Sequence, residues 1–315
     1  MSKFDRIYEL QDLLKNDKTN FQLRREFAVL LMECNFPEEA LQHFLYLSQI
    51  FPDDSSIFYN LGITYEKLKD LNKAEKAYKK AIELAPDEID AFYNLGLVYT
   101  DMQMYKKAEE CFEKVLENDN KDSNAYFSLG ICYLKQKKLD EAKCYFQKTI
   151  DLNSEDIYAH FYLGNIYREQ GNVSGAIDQF YKVLDISPDY SWAYYNLASI
   201  DYEFGNFDNA IYNLEKTLEY NPKDIEAYKI YIKILTKSMN YEKALELAQK
   251  AIENCPSEGD LYYIIAQIYK INHSNNDYVK NMSEALRFSN TLSTSARAVK
   301  NELDSYLKIN NLTVS

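Results

Sequence analysis

Small and apolar positions recur along this chain at one fixed interval. Leu61, Leu95, Leu129, Leu163 and Leu197 keep a 34-residue step, as do Gly62, Gly96, Gly130 and Gly164, and Ala74, Ala108, Ala142, Ala176, Ala210 and Ala244. Within residues 55–88 a finer period appears. Phe58, Leu61, Gly62 and Tyr65 fall at i, i+3, i+4 and i+7, which is one face of a helix, and Ala74, Ala77, Tyr78, Ala81 and Ile82 set out a second such face. The polar turn Lys69-Asp70-Leu71-Asn72 between them is too short for anything but an antiparallel helix pair. Pro86 ends the second helix, because it has no N–H to donate and its ring collides with the preceding turn. Five of the six prolines, Pro52, Pro86, Pro188, Pro222 and Pro256, are separated by whole multiples of that same step, so the hairpin is predicted again and again.

Glycine inside a helix costs about 1 kcal/mol relative to alanine, so a glycine at the centre of each first helix needs a compensating contact. From their spacing along the chain, Gly62 and Ala74 are expected to face one another across the hairpin, with Tyr65 and Tyr78 filling the space between hairpins. No hairpin buries its apolar face alone, so stacked neighbours must complete the core. A chain built this way grows by adding units, and its 315 residues read as one domain. The expected division is an N-terminal capping segment 1–20 with a helix near 3–16, units at 21–54, 55–88, 89–122, 123–156, 157–190, 191–224 and 225–258, a degenerate unit at 259–292, and a C-terminal segment 293–315 with a helix near 294–309 and a tail. The terminal units depart from the pattern, as ends facing water should: Arg24 and Ala28 replace the aromatic and the glycine in the first, and Tyr278 replaces the alanine in the last. Ile232, inside the array, takes a glycine position and is expected to hold its helices apart.

The run Phe58-Leu61-Gly62-Tyr65-Ala74-Tyr78-Ala81-Pro86 resembles the tetratricopeptide repeat at all eight of its signature places. Phe92-Leu95-Gly96-Tyr99-Ala108-Phe112 and Tyr126-Leu129-Gly130-Tyr133-Ala142-Phe146 follow in phase. The resemblance implies an all-α, right-handed superhelical solenoid of about eight helix pairs with capping helices. It also implies that the first helices line a concave groove in which a protein or peptide is held. The groove positions are then Tyr59, Tyr93, Phe127, Phe161 and Tyr195, with Tyr263 further on, then Ile63, Leu97, Ile131 and Asn165, with Tyr158 and Trp192 projecting nearby. Contiguous exposed apolar surface of this kind marks an interaction site, although aromatic residues at helical spacing also serve as core between hairpins.

Asn60, Asn94 and Asn196 precede the repeated leucine, where related arrays use asparagines to hold the backbone of an extended peptide. An amide donates and accepts at once, which suits main-chain recognition and equally suits hydrogen bonds between repeats. Lys229, Lys233 and Lys237 follow at i, i+4 and i+8 on the same face, so the groove is expected to turn from apolar to basic. A partner with apolar and acidic segments would complement it. The lysines resemble in part the carboxylate clamp of chaperone-tail receptors in the family, but Lys233 and Ile264 stand where the clamp has asparagines.

Charge narrows the choice of partner. With 36 basic and 49 acidic residues the net charge is −13, which repels a phosphate backbone and argues against nucleic acid. The balance is uneven, at +2 over residues 229–315 and −15 over the rest. The five cysteines form no Cys-x-x-Cys pair, which suits reduced thiols, and the charged N-terminus and lack of a long apolar run predict neither signal peptide nor membrane span, hence a cytoplasmic protein. His43, His160 and His273 lie in different units, and no phosphate loop or metal-ligand cluster accompanies them, so no enzyme, metal or cofactor is expected. The leading expectation is a non-enzymatic adaptor or scaffold holding a peptide segment. A peptide-sensing regulator and a recruitment subunit of a multi-protein complex are the alternatives, and the aromatic strip also permits self-association.

Overall fold

Local signals that start and stop helices recur along this chain at the 34-residue period. The computed structural model describes residues 2–310; residue 1 and residues 311–315 of the expected tail lie outside them. Among the described residues it is an all-α repeat solenoid with 18 α-helices and no strand. It forms two compact units, one through residue 166 and the other from residue 167.

The first unit begins with α1 (Lys3–Asn16). The pairs α2 (Phe21–Glu33) and α3 (Pro37–Ile50), α4 (Ser55–Lys67) and α5 (Leu71–Leu84), α6 (Ile89–Asp101) and α7 (Tyr105–Asn118), and α8 (Ser123–Lys135) and α9 (Leu139–Leu152) follow. The unit boundary falls inside α10 (Ile157–Glu169). The second unit continues with α11 (Val173–Ile186), then α12 (Ser191–Glu203) and α13 (Phe207–Tyr220), α14 (Ile225–Lys237) and α15 (Tyr241–Asn254), and α16 (Gly259–Ile271) and α17 (Asn275–Arg287). A short 3₁₀ turn at Ser289–Thr291 leads into α18 (Ala296–Asn310).

Each first helix closes on a left-handed residue, at Asn35, Lys69, Gln103, Lys137, Gly171, Gly205, Met239 and His273, one repeat length apart and with φ between 57° and 77°. The next residue donates its N–H back five positions, as Asp70 does to the Tyr65 carbonyl and Asn240 to that of Leu235, which satisfies carbonyls the helix leaves unpaired. Only two of the eight are glycine, the residue without a penalty in this conformation. Asp54, Asp70, Asp122 and Asp224 accept backbone N–H bonds at helix starts, and Pro52, Pro86, Pro188, Pro222 and Pro256 each stand two positions beyond a helix end.

A second recurring bond ties the turn between hairpins to the next first helix. Tyr126, Tyr194 and Tyr262 donate their hydroxyls to the carbonyls of Asn120, Pro188 and Pro256, six positions earlier, at 3.3, 3.2 and 3.2 Å. His160 Nε2 makes the same bond to the Ser154 carbonyl at 3.1 Å and Arg24 to that of Lys18 at 2.9 Å. Residues that break the aromatic pattern therefore keep its hydrogen bond.

The nearest neighbours of the glycines are the rings one helical turn beyond the repeated alanines on the second helix. A Cβ built on Gly62 would lie 2.4 Å from Tyr78 Cε1; on Gly96, 2.7 Å from Phe112 Cε1; on Gly130, 2.7 Å from Phe146 Cε1. The ring reaches back over the first helix because side chains lean toward the N-terminus of their own helix. Tyr78, Phe112 and Phe146 are fully buried by this seat. Elsewhere the pair keeps complementary sizes in one core cluster: Ala28 with Phe44, Ala198 with Leu214, Ile232 with Ala248 and Ala266 with Met282. Ile232 is thus absorbed by a small partner, and α14 and α15 meet less closely than the glycine-bearing pairs.

The ends are closed by single helices. Ile7, Leu10 and Leu14 of α1 are buried, as are Val299 and Leu303 of α18, and Tyr278, in the place of an alanine, packs its ring 4.1 Å from that of Tyr306 in α18.

Both the seats and the turns can be tested by substitution. Gly96→Ala is expected to destabilise the protein by about 1–3 kcal/mol through overpacking against Phe112. Adding Phe112→Leu should restore most of the loss, since that pairing already exists as Ala198 and Leu214. Urea midpoints of the single and double variants decide, and no recovery would refute size matching. Met239→Gly removes a left-handed non-glycine residue that is 78% exposed, and is expected to stabilise by about 1 kcal/mol, read as a higher Tm.

Candidate functional site

The first helices of the first unit lie side by side, α4 beside α6 and α6 beside α8, so residues of equal register form rows. Tyr59, Tyr93, Phe127 and Phe161 make one such row and are half-buried. The first three rest on the rings that the glycines admit: Tyr59 on Tyr78 at 6.0 Å, Tyr93 on Phe112 at 5.8 Å and Phe127 on Phe146 at 5.5 Å between centroids. Each of these three repeats thus stacks a glycine, a buried ring and a half-buried ring. Phe127 and Phe161 also meet Tyr162, at 5.9 and 6.0 Å. Ile63, Leu97, Ile131 and Asn165 line up beside this row, half-buried, and Tyr158 is 59% exposed.

The hydroxyls and amides of this face serve the chain itself. Asn94 Nδ2 donates to the Tyr59 hydroxyl at 3.1 Å, and the Tyr93 hydroxyl meets Ser128 Oγ at 3.1 Å, each bond joining neighbouring first helices. Asn60 donates to the Ser56 carbonyl of its own helix at 2.7 Å. Burial, with Asp90 nearby, raises the Tyr59 hydroxyl above its ordinary value, so it stays protonated and able to donate.

In the second unit Trp192 is 52% exposed and sits edge-on to Tyr195 at 6.4 Å. Asn196 is buried; it donates to the Trp192 carbonyl at 2.8 Å and accepts from Arg168 Nη1 at 3.2 Å, while Arg168 also reaches Ser199 Oγ at 2.8 Å and pairs with Glu203. The three lysines expected to act together divide into two kinds. Lys229 Nζ is bound by Asp260 at 2.6 Å and Glu226 at 2.8 Å. Lys233 and Lys237 are exposed and lie over the ring of Tyr202, at 5.5 and 4.8 Å from its centroid. Tyr263 is tied to α18: its hydroxyl donates to Glu302 at 3.0 Å, beside Gln267 at 3.1 Å and Lys270 at 2.7 Å.

Asp260, Tyr202, Arg168 and Glu302 were not singled out from the sequence. Asp260 follows Lys229 by slightly less than one repeat length, and that near-register was the available signal. Its carboxyl is buried and also accepts from the backbone N–H and Oγ of Ser293, at 2.8 and 3.0 Å. Burial pushes the Asp260 carboxyl up, but the bonds from Lys229 and Ser293 outweigh it and hold the group below its ordinary value. His160 is spent on its turn carbonyl, and His43 Nδ1 lies 3.0 Å from an Arg24 nitrogen, with burial first and that guanidinium second keeping its pKa low. No helix among the described residues is long and apolar enough to cross a membrane.

Family models described as tetratricopeptide repeat match residues 53–121, 87–155 and 195–259, and one described as TPR repeat matches 164–203, together more than half of the chain. The chain belongs to the tetratricopeptide repeat family, whose members bind other proteins, and it is in general terms a protein–protein interaction adaptor. It is similar to MamA from Desulfovibrio magneticus RS-1, from residue 41 to its end, at 27% identity and a TM-score of 0.51, over 55% of this chain and 97% of that one. A tetratricopeptide repeat protein from Parabacteroides merdae shares the fold over 80% of this chain and 98% of that one, at 16% identity and a TM-score of 0.55. No curated protein matches the sequence.

The Lys229–Asp260 pair yields a pH prediction. Because the folded carboxyl lies below its unfolded value of about 3.9, its stabilisation is complete above that pH and is lost as pH falls through the folded value. Asp260→Asn is expected to lower stability near neutral pH by about 2 kcal/mol and to flatten the acid limb of Tm against pH; curves that stay parallel between wild type and variant would refute it.

Proposed function

We propose that this protein is a non-catalytic cytoplasmic adaptor that holds an extended segment of a partner protein along the face of its first helices. The aromatic row Tyr59, Tyr93, Phe127 and Phe161, flanked by Ile63, Leu97 and Ile131, carries this reading, because it leaves rings and aliphatic groups half-exposed in register on successive helices. Tyr59, Tyr93 and Phe127 are each fixed by the buried aromatic behind them, so little side-chain freedom is lost when a partner docks. Apolar side chains of the bound segment would meet this row. Asn94 contributes by tying its helix to the Tyr59 ring and Asn196 by accepting from Arg168, while Asn60 is bound within its own helix, so each amide already has a partner within the chain. Asn165, Tyr158 and, in the second unit, Trp192, Tyr195 and the lysines add contact surface at matching positions of their own helices. The five unpaired cysteines agree with a reducing compartment.

The test is photo-crosslinking in the native cell. Benzoylphenylalanine placed at Leu97 or Ile131 is expected to capture one common partner segment, identified by mass spectrometry, while the same probe at Glu83 or Lys114, exposed on the second helices, captures none of it. Capture only from the second-helix positions would move binding to the opposite face and sink this reading.

A further inference from the structure

The first helices of the second unit carry five cations, Arg168, Lys229, Lys233, Lys237 and Lys270. Three are matched to acids one by one: Arg168 to Glu203, Lys229 to Asp260 and Lys270 to Glu302. Lys233 and Lys237 have no carboxylate within ion-pair reach among the described residues, although the chain as a whole has 13 more acids than bases. These two are one helical turn apart, where like charges repel. Both nevertheless gather on one ring, that of Tyr202, and Lys237 also lies 5.6 Å from the centroid of Phe207. Two ammonium groups and a phenol hydroxyl, which can donate, thus meet at one place on the face.

We propose that Tyr202, Lys233 and Lys237 form an anion site that takes two neighbouring side-chain carboxylates of an acidic segment in the bound partner. Two uncompensated positive charges call for two negative ones, and the one-turn spacing of the lysines offers each carboxylate its own ammonium. Although partial burial pushes the Tyr202 hydroxyl up, the two lysines outweigh it and hold the group below its ordinary range, as a locally positive field requires. A phosphoryl group fits less well. It is held best by the bidentate fork of arginine, and the sole arginine on this face, Arg168, is committed to Glu203, Ser199 and Asn196. Lys229, the lysine that a terminal carboxylate would use by family resemblance, is occupied by Asp260, which separates this site from such a clamp.

The site rests on the adaptor reading only for what carries the carboxylates. The test uses fluorescence anisotropy of the full chain with fluorescein-labelled hexaglutamate, hexaglutamine and a hexapeptide with two phosphoserines, at low and moderate salt. Hexaglutamate is expected to bind saturably and more weakly as salt rises. The exposed pair Lys233→Gln with Lys237→Gln should weaken it about tenfold, and Tyr202→Phe should weaken it by a smaller factor, with circular dichroism unchanged. The charge-matched control Lys223→Gln with Lys250→Gln, off this face, should change it less than about twofold. Absence of saturable binding, equal losses in both double variants, or tighter binding of the phosphoserine peptide would each overturn the proposal. Crosslinks lost at Leu97 and Ile131 with the lysine effect intact would strike the aromatic row alone, and the reverse pattern would strike the anion site alone.

Discussion

The structure depends on the fit of a buried side chain into a gap left in the facing helix. In α4, α6 and α8 that gap is a glycine, and the incoming group is the ring of Tyr78, Phe112 or Phe146. A glycine in the middle of a helix weakens it by about 1 kcal/mol, and full burial of an aromatic ring returns more than that. The exchange works only while both partners keep their sizes, which is why replacements elsewhere come as pairs, with Leu214 opposite Ala198 and Ala248 opposite Ile232.

In three repeats the same fit also supports the first-helix face. Where a glycine admits a ring, that ring supports a second aromatic on the surface, Tyr59, Tyr93 or Phe127. At the seat filled by Ile232 and answered by Ala248, the residue at the surface position is Lys229 instead of an aromatic. At that repeat the shift from an aromatic to a lysine coincides with a change in the core, whereas Tyr195 keeps the aromatic beside the Ala198–Leu214 pair.

Much of this was legible because a solenoid repeats its physics at a fixed interval. The regular spacing of glycine, leucine, alanine and proline yielded the helix pairs directly, and the aromatic row followed from its register. Three features were not legible, for different reasons. The nearest contact of Gly62 is the ring of Tyr78, because the ring leans back toward the start of its helix, a direction that linear spacing does not contain. The left-handed turn residue is usually marked by glycine, but Lys69, Gln103, Lys137 and Met239 occupy it, so composition offered no sign. The pairs Lys229–Asp260 and Lys270–Glu302 fall short of the strict repeat register, and only the folded chain brings them together.

Those off-register pairs matter because they determine which charges are left over. A stripe of three lysines suggests a uniformly basic surface, but a charge already bound to a buried carboxylate contributes little to a ligand, since the pair must be broken or left as a near-neutral dipole. Asp260 removes Lys229 from the count, and Glu302, brought by the closing helix α18, removes Lys270. What remains on the first helices of the second unit is the positive charge of Lys233 and Lys237 beside Tyr202, within a protein of net negative charge. Against a net negative background, a pair of lysines on this face without carboxylate partners among the described residues helps to fix where an anionic partner sits.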